Sequence, residues 1–169
     1  MANTIDILGD DAVTDSIIDG SITELVDDQI TSIGDRAFYN CSALTSIDLP
    51  AATSIGSYAF QNCSELTSVD LPAVTSIGSS TFQSCTKLTS IDLPAATSIG
   101  EYAFYSCSKL TSVMLRNTSQ VVSLSSTSAF SNANSAIIYV PDALVDDYKA
   151  ATNWSTYADR IKGLSELPA

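Results

Sequence analysis

Along the stretch from Ala37 to Pro50 the spacing of apolar residues changes partway, and a change of period marks a change of backbone conformation. Ala37, Phe38, Cys41 and Leu44 recur at helical steps, which predicts a short helix or helical turn beginning just after Gly34. From Ile47 to Leu49 the apolar residues alternate with polar ones, predicting a strand with Ser46 and Asp48 on the opposite face. Pro50 ends that strand, because a proline has no N–H with which to extend a sheet ladder. Thr53-Ser54-Ile55 then predicts a second short extended segment before Gly56 turns the chain.

The same pattern returns with a fixed period. Gly34, Gly56, Gly78 and Gly100 lie 22 residues apart, and Phe38, Phe60, Phe82 and Phe104 keep the same step. So do Cys41, Cys63, Cys85 and Cys107, and Leu44, Leu66, Leu88 and Leu110. Ile47, Val69, Ile91 and Val113 form a further column, Leu49, Leu71, Leu93 and Leu115 another, and Pro50, Pro72 and Pro94 punctuate the strands. A unit this short cannot bury an apolar face alone, but stacked copies can. With parallel strands ~4.8 Å apart, each column becomes a continuous core seam. Every buried Leu, Ile or Phe contributes roughly 1.5–3 kcal/mol against the entropy of ordering the chain. The expected fold is an α/β repeat solenoid, with a parallel β-sheet on one side, short helices or helical turns on the other, and helical caps at both ends.

The ends depart from the repeat. Ile22 and Leu25 precede Leu44 and Ile47 by one period, so Ser21 to Asp28 reads as a degenerate first unit without a proline. Upstream, Asp10 or Asp11 is placed to cap a helix carrying Val13, Ile17 and Ile18 that Gly20 ends. At the far end Phe130 follows Phe104 by 26 residues, and the cysteine position has become Ala133. Ile137-Ile138-Tyr139-Val140, closed by Pro141, reads as the last strand. Asp142 is then expected to cap a helix with Leu144, Val145, Tyr148 and Ala151 on one side, and Trp154, Tyr157 and Ile161 predict a second. This divides the chain into an acidic amino-terminal cap (1–20), a repeat body (21–141) and a carboxyl-terminal helical cap (142–169).

The phrase Leu44-Thr45-Ser46-Ile47-Asp48-Leu49-Pro50, followed by Thr53-Ser54-Ile55-Gly56, Ala59-Phe60 and Cys63, resembles the BspA-like leucine-rich repeat of bacteria. The resemblance covers residues 22 to 141 and is closest in the four full copies. It implies a right-handed leucine-rich-repeat coil whose strands line a concave sheet. It also implies a surface protein of the kind that contacts host proteins or other cells. It brings no shared catalytic residue and no cofactor.

Charge narrows the field. With 7 Lys plus Arg against 19 Asp plus Glu, the net charge of −12 repels nucleic-acid phosphates and anionic lipid. No apolar run approaches the roughly 20 residues of a membrane helix, and the amino terminus lacks the basic-then-apolar pattern of a secretory signal. Localisation is left open by the residues, the cell surface or exterior being what the resemblance favours.

Four cysteines invite a zinc or disulfide reading, but one thiol per coil gives a line rather than a convergent ligand set, so buried free thiols are expected. The chain has no histidine, which removes the usual Ser-His-Asp hydrolase. A Ser-Lys variant has no motif around Lys87, Lys109, Lys149 or Lys162. Asp48, Asp70 and Asp92 repeat with identical neighbours, unlike the two differentiated carboxyls of a glycosidase. No metal or cofactor site and no enzymatic activity are expected. An ice-lattice role for the many Ser and Thr is disfavoured by those outward carboxylates.

Strand alternation places Ser46, Asp48, Ser68, Asp70, Ser90, Asp92, Ser112 and Met114 on the exposed concave face as the candidate partner-binding surface. Three readings of its acidic column compete: a solvated face that discourages sheet-to-sheet association, a ligand-facing array, or a calcium-type cation site. The function expected is a monomeric binding module, adhesin-like or surface-displayed, for a basic or hydroxyl-rich macromolecule. The alternatives are a structural spacer or phage- or virion-associated display protein, and, further off, a carbohydrate-binding or carbohydrate-active solenoid.

Overall fold

The computed structural model describes residues 12–13 and 22–168. Among the described residues, thirteen strands stack in two parallel columns. One column holds the three-residue strands β2 (Glu24–Val26), β4 (Ser46–Asp48), β6 (Ser68–Asp70), β8 (Ser90–Asp92) and β10 (Ser112–Met114), continued by β12 (Ile137–Val140) and β13 (Ile161–Gly163). The other is a six-stranded sheet of two-residue strands, β1 (Ala12–Val13), β3 (Ser32–Ile33), β5 (Ser54–Ile55), β7 (Ser76–Ile77), β9 (Ser98–Ile99) and β11 (Ser123–Leu124). Each coil thus runs strand, turn, short strand and a second run of turns, with a proline at the first turn after β4, β6 and β8.

Registers follow the repeat: Leu25 pairs with Ile47 and Ile47 with Val69, while Ile33 pairs with Ile55 and Ile55 with Ile77. The degenerate first unit is therefore a true coil. In the long-strand column β6 and β8 lie side by side without a ladder between them, so it divides into three and four strands. Val69, one methylene shorter than Ile47 and Ile91, is the inward strand residue left partly exposed at that seam.

The core is a set of parallel seams. Phe38, Phe60, Phe82, Phe104 and Phe130 stack with centroids 5.1–5.6 Å apart and planes within 9°. This offset-parallel arrangement lets each ring bury both faces. The glycine column lies where successive coils come closest. A Cβ on Gly78 would stand 2.5 Å from the Gly56 carbonyl carbon and 2.6 Å from the Ser57 nitrogen.

On the turn side the backbone forms a run of turns rather than a helix, with two left-handed positions in each of the four full coils, such as Arg36 and Asn40, or Tyr58 and Asn62, and one, Asn132, in the last. Asn tolerates that conformation because its short amide bonds locally. The turns are tied coil to coil: Arg36, Phe38 and Asn40 donate to the carbonyls of Ser57, Ala59 and Gln61.

Three expectations for the ends are corrected. Val13 lies in a strand paired with Ile33, so no helix contains it. The remainder of that expected helix and of the acidic cap lies outside the described residues. Asp142 makes no helix cap, because the first cap helix is entered through Pro141, a 3-10 turn (Asp142–Leu144) and α1 (Val145–Ala150). Its Oδ1 instead accepts from the Ser165 N–H and hydroxyl. Trp154–Arg160 is a 3-10 helix, and Ile161 leaves it for β13, pairing with Ile138 of the otherwise uncovered strand β12.

Candidate functional site

The surface predicted to meet a partner is built from the odd positions of the long strands. Ile47 and Ile91 point into the core, which forces Ser46 and Asp48, and Ser90 and Asp92, to the outer face. Register puts Ser46 beside Ser68 and Asp48 beside Asp70, then Ser90 beside Ser112 and Asp92 beside Met114. The structure thus assembles these eight residues on one face in two files, interrupted only by the seam between β6 and β8.

The acidic file is shorter than its sequence. Arg116 Nε lies 3.0 and 2.7 Å from the two carboxylate oxygens of Asp92, so that in this file Asp48 and Asp70 are the carboxylates without a basic partner among the described residues. Its NH2 also reaches the Met114 sulfur at 3.6 Å. Arg116 stands one period after Pro94, so the signal was its replacement of the strand-ending proline. The file is bounded below by Val26, exposed and paired with Asp48, and above by Tyr139, which pairs with Met114 and has Lys162 on its other side. Its chemistry therefore runs from acidic to apolar along the stack, and sequence reasoning missed both boundaries.

At the apolar end a cleft of about 440 Å³ opens on the same face, lined by Ser90, Thr111, Ser112, Met114 and Tyr139 and walled by Leu167 and Pro168. No charged side chain lines it.

The cysteines lie away from this face. All four are buried and outside any disulfide, in one file, and each thiol from Cys63 to Cys107 points at the carbonyl of the phenylalanine of the coil before, Cys63 Sγ to Phe38 O at 3.3 Å. Burial is the first cause raising the thiol pKa values, to about 12 at Cys107. Among the described residues no three or more Cys, Asp or Glu gather as a metal cluster. No helix among them is long and apolar enough to cross a membrane.

Two parallel strand columns wound from a leucine-rich 22-residue unit define a leucine-rich-repeat solenoid. The model of the BspA type leucine-rich repeat region matches residues 21–151 in six copies, and the chain belongs to that family. Among solved structures it is similar to a leucine-rich repeat protein of T. pallidum, TpLRR (27% identity, 68% of this chain and 54% of that one, TM-score 0.60). It is also similar to a leucine-rich cell surface protein of Faecalibacterium prausnitzii (27%, 72% and 32%, TM-score 0.61) and to a leucine-rich repeat protein of Bacteroides ovatus (27%, 87% and 41%, TM-score 0.61). The chain spans from a third to just over half of these proteins. No curated protein matches it.

Proposed function

We propose that the chain is a non-catalytic recognition module, adhesin-like or surface-displayed, whose long-strand face binds a basic, hydroxyl-bearing segment of another protein. The observation that carries this reading is the exposed Asp48–Asp70 pair, in register on neighbouring strands and unneutralised, beside a third carboxylate that Arg116 occupies. Carboxylates ~5 Å apart repel by about 0.8 kcal/mol in water, a small cost that a cation lying between them reverses. Such charge governs encounter rate and specificity before it governs affinity. The flanking Ser46 and Ser68 hydroxyls supply hydrogen bonds to the same segment.

A lysine-rich peptide and a panel of extracellular-matrix proteins, tested against wild type and the double variant Asp48→Asn/Asp70→Asn, examine this reading. Binding that falls with added salt and drops in association rate in the variant supports it. A partner whose affinity ignores both substitutions and the ionic strength removes it. The neutral cleft at Met114 and Tyr139 favours a second reading, a glycan ring seated on the apolar wall, and neutral glycans belong in the same panel.

A further inference from the structure

The backbone-to-backbone hydrogen bonds between the turns of successive coils all run one way. Three N–H groups of each of the first three full coils donate to the next coil, and two of the fourth, and in none of these bonds does the next coil's N–H donate back: Tyr58, Phe60 and Asn62 give to Ser79, Thr81 and Gln83, Ser80, Phe82 and Ser84 to Glu101, Ala103 and Tyr105, and Phe104 and Ser106 to Ala129 and Ser131. Aligned peptide dipoles add, as they do along a helix, so amide hydrogens and positive potential collect at the carboxyl-terminal end. The last coil has no following turn to receive them. Its Ser128 N–H is taken by Ser126 Oγ at 3.1 Å and its Phe130 N–H by the Tyr157 hydroxyl at 3.3 Å. The Asn132 N–H, in the same left-handed position as Asn40 and Asn62, has no acceptor among the described residues. Its side-chain amide is turned back to Ser106 Oγ.

Asn132 borders an open cavity of about 440 Å³ whose lining includes Ser131, Asn134, Thr156, Tyr157 and Arg160. In a chain with 19 acidic residues none lines this cavity, and the one charged group there is a guanidinium. Arg160 is fixed in place: its NH1 donates to Ala133 O at 2.8 Å, and its guanidinium carbon lies 4.6 Å from the centre of the Tyr157 ring. One of its five N–H donors is committed in that bond. Burial opposes its charge, with Tyr157 acting the other way, and an anion beside it would offset that cost.

We propose that this cavity is a carboxylate-binding site, in which the Asn132 N–H and the Arg160 guanidinium together hold the oxygens of one carboxylate. A single guanidinium and a single free N–H match one negative charge. A phosphate dianion would bring a second charge, uncompensated, to a protein of net charge −12. The site lies away from the long-strand face and stands independently of the function proposed for it.

The test is a titration of the full chain with sodium acetate, against sodium chloride and sodium phosphate at equal ionic strength, read by amide and arginine Nε nuclear magnetic resonance. Acetate is expected to shift the Asn132 N–H and the Arg160 Nε–H saturably, and phosphate to bind more weakly. Arg160→Gln should weaken acetate by about tenfold or more, and Arg160→Lys by less, since it keeps charge but loses the fork. An N-acetylated peptide ending in a free carboxylate and N-acetylglutamate amide then show whether a terminal or a side-chain carboxyl fits. Equal shifts with chloride, an Asn132 signal that does not move, or unchanged binding in a folded Arg160→Gln chain would overturn the proposal. If Arg160→Gln does not fold, the wild-type titration decides alone.

Discussion

Arg116 holds Asp92 through both carboxylate oxygens, Nε lying 3.0 Å from one and 2.7 Å from the other. The two residues come from neighbouring coils, and the pair ends the acidic file where Met114 and Tyr139 begin. Both side chains are about two-fifths exposed, so the pair adds little stability, within about 1 kcal/mol.

Arg116→Gln is therefore expected to leave the urea midpoint nearly unchanged while freeing a third carboxylate. A lysine-rich peptide should associate faster with the variant and show a steeper loss of rate with salt. An association rate equal to wild type at low salt would show that this face does not steer cations.

Gly78 is required by space rather than by backbone angle. A methyl group there meets the Gly56 carbonyl carbon and the Ser57 nitrogen at distances no real Cβ tolerates. Neither neighbour is the tip of a flexible side chain, so two coils must separate. Gly78→Ala is expected to cost about 3 kcal/mol or more, at or above the usual range for overpacking, and Gly56→Ala a similar amount. Urea denaturation measures it; a midpoint within experimental error of wild type would mean that the coils are not packed this closely.

The thiol file makes stability fall in alkali. Unfolded thiols lose their protons near 9.0, whereas burial holds Cys107 up to about 12 and raises Cys63 and Cys85 as well. A raised folded pKa means that stability is fully present below pH 9 and is lost as pH climbs through the window to 12. Each thiol contributes a slope of about −1.4 kcal/mol per pH unit there. The buried Tyr148 hydroxyl, its pKa also raised by desolvation, acts in the same direction. Cys85→Ala should reduce the slope by about one proton, and at pH 8 all four native thiols should react with a thiol reagent only after denaturation. Fast labelling of the native chain, or stoichiometric zinc, would contradict the buried file.

What the residues disclosed and what they withheld have separate physical causes. The strand, the turn and the core seams were legible because the same inward position recurs in every coil, so Phe38 and Phe60 identify one another. The cap was read less well because it does not repeat. Trp154, Tyr157 and Ile161 share helical spacing, yet the open edge of β12 draws Ile161 into a strand. The common face of the eight candidate residues followed from alternation alone, while the pairing of Arg116 with Asp92 depends on where a loop sends one long side chain after a missing proline.

The cap has a definite task, since the last coil ends with backbone groups that no further coil can satisfy. Tyr148 accepts the Val122 N–H at 3.0 Å, Trp154 Nε1 donates to the Val122 carbonyl at 2.6 Å, and Asn153 donates to Leu124 O at 2.7 Å. The Tyr157 hydroxyl takes the Phe130 N–H and gives its own proton to Thr127 O. Trp154 also closes the phenylalanine stack, its ring centre 6.0 Å from that of Phe130. Tyr148→Phe keeps the packing but leaves a buried N–H without an acceptor, and is expected to cost about 1–3 kcal/mol. Removing residues 142–169 would expose the open edge of β12 and the last apolar seam together, and should cause self-association or unfolding. Thermal melting and sedimentation velocity read the two effects separately. A truncated chain that stays monomeric with an unchanged Tm, alongside a Tyr148→Phe variant as stable as wild type, would show that these residues do not cap the solenoid.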